Sequence, residues 1–227
     1  MVFVRIVELC QMNVLVIAAT ERELIGIKEI SFDRVSLRVQ TAVTGVGLMP
    51  STYAIMQLLT ASRPDLIIQL GIAGSFTPSI ELGTAVAVKK EMLADMGVYE
   101  TGGYRDIFEM GLAEKNMAPF EQGALVNHHD TLFNALSMPV VSAVSVNEIS
   151  TSTEKIKLFS EKYKADIESM EGAAVHYVCT LQQIPFVQIR GISNLVGERD
   201  KSKWKIQESL HAATNACINL INKIQLP

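Results

Sequence analysis

Residues 185–192, PFVQIRGI, form a short apolar run that ends on Ser193 and Asn194. Two earlier runs, residues 13–18 (NVLVIA) and residues 65–70 (DLIIQL), have the same character. Apolar runs of this length are typical of strands that are buried on both faces of a parallel sheet. Because predicted helices alternate with these runs, the pattern indicates an α/β fold.

The rest of the chain continues the alternation. The other predicted strands are residues 36–43, 84–93 and 139–146, and the predicted helices are residues 48–61, 152–163, 172–182 and 201–224. Residues 97–116, with a Gly102-Gly103 pair, predict a loop with a little helix. We therefore predict a single α/β domain, residues 13–227, with a mixed central β-sheet flanked by helices. Residues 1–12 are predicted to be an N-terminal extension.

Composition excludes several functional classes. The chain has 227 residues, a net charge of −4 and no basic run, which argues against a nucleic-acid partner. Residues 1–12 are apolar, but the segment is too short to span a bilayer and has no small-residue cleavage site. Cys10, Cys179 and Cys217 lie far apart without metal-ligand spacing. We expect reduced core thiols, no metal, no membrane partner and a cytoplasmic location.

Candidate ligand-binding residues follow the predicted strands. In open α/β sheets, ligands bind beyond the carboxyl ends of the strands. The segments at these positions are residues 19–23, 44–47, 71–74, 145–147, 168–171 and 193–194. Glu171 begins an apolar helix, where it can accept hydrogen bonds from a diol, and Asn194 offers a neutral amide to a purine edge. The pair points to a ribonucleoside ligand.

Five segments occur in a characteristic order: ATERE at residues 19–23, TGVG at 44–47, GIAG at 71–74, MEGAA at 170–174 and RGISN at 190–194. In these, the chain resembles the nucleoside phosphorylase and nucleosidase superfamily over residues 13–224. The segment SNLVGERD at residues 193–200, with Trp204, resembles the futalosine hydrolases, which release hypoxanthine in menaquinone biosynthesis. The resemblance implies a nucleoside phosphorylase-like fold, a small purine nucleoside as substrate, no cofactor, and a homodimer or higher homo-oligomer.

The resemblance also implies roles on the ribose side of the site. Glu171 would accept hydrogen bonds from the 2′- and 3′-hydroxyls, and Met170 would pack on the face of the sugar. Glu23 would hold and activate the attacking water, although Glu21, two residues away, is an alternative. Arg190 would anchor Glu171 or the neighbouring Ser193 without touching the substrate.

On the base side, Asn194 takes the position of an aspartate in the adenine-specific nucleosidases of the superfamily. An amide donates to a 6-oxo group and accepts from N7–H, so we expect hypoxanthine or guanine in preference to adenine. Asp200 is the candidate for a supporting role in protonating N7. The remaining candidate substrate-binding residues are Ala73, Gly74, Val146, Asn147 and Ser193.

Water is the expected nucleophile. Phosphorylases of the superfamily have an arginine and a serine where this chain has Gln69 and Ile72, and the acidic residues of 19–23 would repel phosphate. The sequence therefore predicts hydrolysis of a 6-oxopurine nucleoside, with futalosine as the favoured substrate. The alternatives are a phosphate-dependent inosine or guanosine phosphorylase, a methylthioadenosine/adenosylhomocysteine nucleosidase, and a non-catalytic nucleoside sensor.

Overall fold

A computed structural model describes residues 11–32 and 35–224 of the chain. Within these residues the strands are β1 (Met12–Ala18), β2 (Leu37–Val43), β3 (Leu66–Ser75), β4 (Ala85–Leu93), β5 (Gly97–Glu100), β6 (Gly103–Asp106), β7 (Leu125–Val126), β8 (Val140–Ser145), β9 (Ile167–Ser169) and β10 (Phe186–Leu195). The α-helices are α1 (Glu21–Lys28), α2 (Leu48–Ala61), α3 (Asp130–Ala135), α4 (Thr153–Tyr163), α5 (Gly172–Gln182) and α6 (Ile206–Lys223).

The central sheet has the strand order β10-β4-β8-β9-β3-β1-β2, and β7 pairs with β4. Because β10 also pairs with β3, the strands β3, β10, β4, β8 and β9 close into a ring. The β3–β10 and β4–β8 pairs are parallel, whereas the β10–β4 and β3–β9 pairs are antiparallel. The predicted single α/β domain with a mixed sheet is therefore confirmed.

Helices cover both faces of the sheet because its strands are apolar on both sides. On one face, α6 packs Cys217, Leu220 and Ile221 into a cluster with residues of β1 and β3. On the other face, Ile55 of α2 and Val175 of α5 pack against the remaining side chains of the same strands. Burial of this apolar surface is the main stabilising contribution to the fold.

Two strands are longer than the sequence predicts. The glycine-rich segment 71–74 continues β3 instead of forming a turn, and Ser193 and Asn194 lie inside β10 instead of following it. The two segments pair with each other in parallel, with a register shift between Ile192 and Asn194. The pairing satisfies the backbone N–H and C=O groups of both segments, which holds them in strand conformation.

Two other segments differ in the structure from their predicted conformation. The predicted loop at residues 97–116 contains the antiparallel hairpin β5–β6. The predicted helix at residues 201–224 is divided into a 3₁₀ turn, Lys201–Lys203, and α6. The division arises because the N–H of Lys205, between the turn and α6, donates to the carbonyl of Ser193 instead of to the preceding turn.

Most of the predicted extension, residues 1–10 including Cys10, lies outside the described residues. Met12 already belongs to β1 and pairs with Leu37 of β2. Cys179 and Cys217 are buried with free thiols, as predicted. In the described part of the chain, no helix is long and apolar enough to cross a membrane.

Candidate active site

A cavity of about 230 Å³ lies where β1 ends and where β3, β9 and β10 meet. Its charged lining residues are Glu23, Glu168, Glu171, Glu198 and Arg199. Its uncharged polar lining residues are Thr20, Ser169, Ser193 and Asn194. The remaining lining residues, which are apolar or glycine, are Ala19, Val46, Ile72, Ala73, Gly74, Ile149, Met170, Val196, Gly197 and Trp204. The cavity therefore combines apolar walls with several carboxylates and one cation.

Glu171 lies at the N-cap of α5 and is only 5% exposed. Its Oε1 accepts a hydrogen bond of 2.9 Å from the backbone N–H of Gly47, and its Oε2 lies 3.7 Å from Nη1 of Arg190. Burial raises the pKa of the Glu171 carboxyl, while Arg190 and the Gly47 N–H act in the opposite direction. These two partners favour the carboxylate form, the form that accepts hydrogen bonds from hydroxyl groups.

Glu23 faces the cavity from the first turn of α1. Its Oε2 accepts hydrogen bonds from the N–H of Thr20 at 2.9 Å and from the Thr20 hydroxyl at 2.8 Å, which completes a capping box. Its Oε1 lies near Gly71, where an added Cβ would be 3.1 Å away. One oxygen is therefore fixed by the helix start while the other is available to a ligand. The nearby Glu21 is exposed and pairs with Lys28 instead.

Asn194 projects from the end of β10 with its side chain already hydrogen-bonded. Its Oδ1 accepts from the hydroxyl of Ser193 at 2.7 Å, and its Nδ2 donates to the carbonyl of Leu195 at 2.8 Å. The Leu195 carbonyl can only accept, so it identifies Nδ2 as the amide nitrogen and sets the orientation of the amide. The amide can exchange the Leu195 contact for a ligand acceptor.

A buried polar layer lies beneath α5. Glu91 of β4 is fully buried, and its Oε1 accepts a 3.0 Å hydrogen bond from the hydroxyl of Ser145. That hydroxyl accepts in turn from the N–H of Ala173, in the first turn of α5. Burial raises the pKa of Glu91 to about 7, against the charge of Arg190 and the hydrogen bond from Ser145. Glu91 thus connects β4 to the helix that begins at Glu171.

The structure brings most of the predicted site residues together around the cavity. Those that line it are Glu23, Ala73, Gly74, Met170, Glu171, Ser193 and Asn194. Arg190 lies behind the lining, with Nη1 3.7 Å from Oε2 of Glu171, one of the two partners predicted for it. Three predicted residues lie elsewhere: Val146 is buried in a separate apolar cluster, Asn147 is exposed beside Asp95, and Asp200 is exposed.

The placement of Asp200 has a local explanation. Its Oδ1 accepts hydrogen bonds from the N–H and the hydroxyl of Ser202, so it caps the 3₁₀ turn. Two lining carboxylates have no predicted role: Glu168, three residues before Glu171, and Glu198, which pairs with Lys203. Glu91 was also missed, although a glutamate inside an otherwise apolar strand is a sequence signal for a buried polar contact.

Among residues 11–32 and 35–224, no group of three or more His, Cys, Asp or Glu side chains could hold a metal ion. The fold and the cavity together define an α/β protein with a carboxylate-lined site for a small molecule. A family model described as the phosphorylase superfamily matches residues 20–225. The chain belongs to this superfamily, which confirms the resemblance found in the sequence.

Two curated relatives are similar over most of their length. The futalosine hydrolase of Thermus thermophilus is 26% identical over 181 residues, which cover 78% of this chain and 79% of the relative. The 5′-methylthioadenosine/S-adenosylhomocysteine nucleosidase of Pseudoalteromonas translucida is 26% identical over 182 residues, which cover 75% of this chain and 72% of the relative. These relatives indicate that the chain is a nucleosidase, an N-glycosyl hydrolase.

Solved structures support the fold. The futalosine hydrolase of Helicobacter pylori superposes with a TM-score of 0.78 at 15% identity, covering 94% of this chain and 98% of that chain. A 5′-methylthioadenosine/S-adenosylhomocysteine nucleosidase from the same organism gives the same TM-score and identity. Structures named for the two activities match this chain equally well, so the likeness defines the fold alone. It does not indicate which purine base is released.

Proposed function

We propose that the protein hydrolyses the N-glycosidic bond of a 6-oxopurine nucleoside, with futalosine as its substrate and hypoxanthine as the released base. The observation that carries the proposal is the neutral amide of Asn194 in the cavity, which is 9% exposed and oriented by the Leu195 carbonyl. An amide offers both a donor for O6 and an acceptor for N7–H. Relatives named for either activity are about equally identical to the chain, so the chemistry of the base contact decides between them.

The ribose end of the cavity supports bond cleavage at the sugar. During cleavage, positive charge develops on the ribose, and carboxylates close to it stabilise the transition state. Glu171 would accept hydrogen bonds from the 2′- and 3′-hydroxyls, and Met170 would pack against the sugar. Glu23 would bind the attacking water through Oε1 and remove its proton, while Thr20 holds Oε2. As the water oxygen bonds to C1′, the C1′–N9 bond breaks and the base keeps its electron pair. The base takes a proton from solvent at N7, and the amide oxygen of Asn194 accepts from that N7–H.

The charges of the lining favour water over phosphate. Its charged residues comprise four glutamates and one arginine, and Arg199 lies over the Trp204 ring. Arg190 is committed to Glu171 and is 1% exposed. A phosphate dianion needs converging cations and backbone donors, and the carboxylates here would repel it.

We also propose a cytoplasmic homodimer or higher homo-oligomer. Met49 and Tyr53, four residues apart on one face of α2, are 83% and 67% exposed. Large apolar side chains grouped on one surface are typical of protein–protein contacts. Sedimentation velocity of the wild type and of a Met49→Glu variant would test this, because a dissociated variant supports α2 as the interface.

The function is tested by chromatographic measurement of base release from futalosine, inosine and methylthioadenosine, each with and without phosphate. The proposal requires phosphate-independent release of hypoxanthine, fastest from futalosine. Phosphate-dependent cleavage of inosine would instead make the protein a phosphorylase. Preferential release of adenine from methylthioadenosine would contradict the 6-oxopurine assignment, and ligand binding without release from any nucleoside would indicate a sensor.

A further inference from the structure

Three residues from neighbouring strands lie in one row across the base side of the cavity. Asn194 of β10 is opposite Gly74 of β3, and Gly74 is opposite Glu168 of β9. Directly opposed residues in adjacent strands project their side chains to the same face of the sheet. Because the middle residue is glycine, the row is a slot with an amide at one side and a carboxyl at the other.

The slot has little spare room above its glycine floor. A Cβ added at Gly74 would lie 3.0 Å from Cγ2 of Val196 and 3.4 Å from Nδ2 of Asn194. Val196 and Ile149 both line the cavity. Apolar side chains around a flat floor suit the faces of a planar ring, and the two polar side chains are then left for its edges.

Glu168 has an unused hydrogen-bonding capacity. The residue is 6% exposed, and its Oε1 accepts a 3.0 Å hydrogen bond from the N–H of Ser150. Its Oε2 is buried and has no hydrogen-bond partner. Burial raises the pKa of this carboxyl, opposed by the hydrogen bond from the Ser150 N–H. Leaving a buried polar atom unpaired is costly, so a ligand that supplies the missing partner gains affinity.

The other lining carboxylates are already paired. Glu23 is bound by Thr20, Glu171 by Gly47 and Arg190, and Glu198 by Lys203. Among the described lining residues, Glu168 is the carboxylate with a buried oxygen that lacks a partner.

We propose that Glu168 is a specificity-determining residue that accepts a hydrogen bond from N1–H of a 6-oxopurine base. This inference rests on the proposed function and extends it to a second contact with the base. A 6-oxopurine presents the O6 acceptor beside the N1–H donor, which matches the amide of Asn194 together with a carboxyl oxygen. A 6-aminopurine presents an unprotonated N1, which leaves the carboxyl unpaired and repels its lone pairs.

The test compares kcat/KM for inosine and adenosine, which share the same sugar, in wild type and in Glu168→Leu. We expect leucine to lower the inosine-to-adenosine ratio by at least about tenfold, since it removes a contact made only to the oxo base. Glu168→Gln keeps an acceptor oxygen and is expected to lower the ratio less. Glu148→Gln is the matched control, because Glu148 is exposed and pairs with Lys155, and its ratio should equal that of the wild type.

A purely structural role for Glu168 would lower both rates together and leave the ratio unchanged, which would overturn the inference. An equal loss of kcat on both nucleosides would overturn it too, since that pattern indicates proton donation to any leaving base. If Glu168→Leu does not fold, binding of hypoxanthine and of 1-methylhypoxanthine to the wild type decides, because 1-methylhypoxanthine lacks N1–H and equal affinity for the two bases refutes the N1–H contact. Wild type that releases no base from any nucleoside refutes the proposed function, whereas active wild type with an unchanged ratio in the variants refutes only this inference.

Discussion

The carboxylate of Glu171 lies 3.7 Å from the guanidinium of Arg190, and the two side chains are 7% and 1% exposed. A charge pair this deeply buried is costly to break, because the remaining charge loses both its partner and water. Arg190 also leaves Nε and Nη2 without hydrogen-bond partners. We therefore propose that Arg190 is a positioning residue, whose charge favours the carboxylate form of Glu171.

Arg190→Leu is expected to destabilise the protein by about 3–5 kcal/mol, because it leaves the Glu171 charge buried and unpaired. The change should also raise the pKa of Glu171 and weaken substrate binding at neutral pH. Urea unfolding and the pH profile of kcat/KM measure the two effects. Arg105→Leu is the control, since the Arg105–Glu100 pair is exposed and should contribute less than about 1 kcal/mol. Equal stability of the two variants would disprove this account.

Glu23→Gln should reduce kcat by about 100-fold or more while nucleoside binding persists, because an amide cannot remove a proton from water. Glu21→Gln is the matched control, since its carboxylate pairs with Lys28 on the surface. Single-turnover kinetics and equilibrium binding separate chemistry from affinity. Near-normal turnover in Glu23→Gln would remove Glu23 from the mechanism.

Gly71→Ala should lower the activity of the protein. An added Cβ at Gly71 would lie 2.1 Å from Nη1 of Arg190 and 3.1 Å from Oε1 of Glu23, so both side chains must move. Gly102→Ala provides the comparison, because nothing lies within 4 Å of a Cβ at that position. We expect at least about tenfold loss of kcat/KM for Gly71→Ala alone. Full activity would mean that Arg190 tolerates displacement.

Glu91 is expected to make stability depend on pH. Its folded pKa, about 7, is above the ordinary value of 4.5, so the folded state binds the proton more tightly than the unfolded state. The stabilisation of the folded state by protonated Glu91 is complete below pH 4.5 and is lost as pH rises through 7. The total loss of folding free energy is about 3 kcal/mol. Glu91→Gln should abolish this dependence and gain stability relative to wild type between pH 5 and 8. Thermal unfolding at several pH values measures the pH dependence of stability. Parallel stability profiles for Glu91→Gln and the wild type would exclude Glu91 as the source of that dependence.

The sequence predicted the helices α2 and α5 with the same boundaries that the structure has. Helix and strand periodicity are local properties, so they can be recognised without knowing what lies next to each segment. The extension of β3 through the segment 71–74 was not predicted, because glycine there is compatible with a turn or with a strand. Pairing with β10 decides between them.

The sequence by itself determined the α/β class, the family segments and the identity of most cavity residues. Motif order and apolar runs are properties of the linear sequence, so they can be recognised without the tertiary structure. The tertiary structure decided which carboxylates line the cavity. Glu21 and Glu23, two positions apart on a helix, are separated by about 200° around its axis, so one faces solvent and the other faces the cavity. Glu168 joins Asn194 only through the register of three strands, a relation between distant segments that no local pattern encodes.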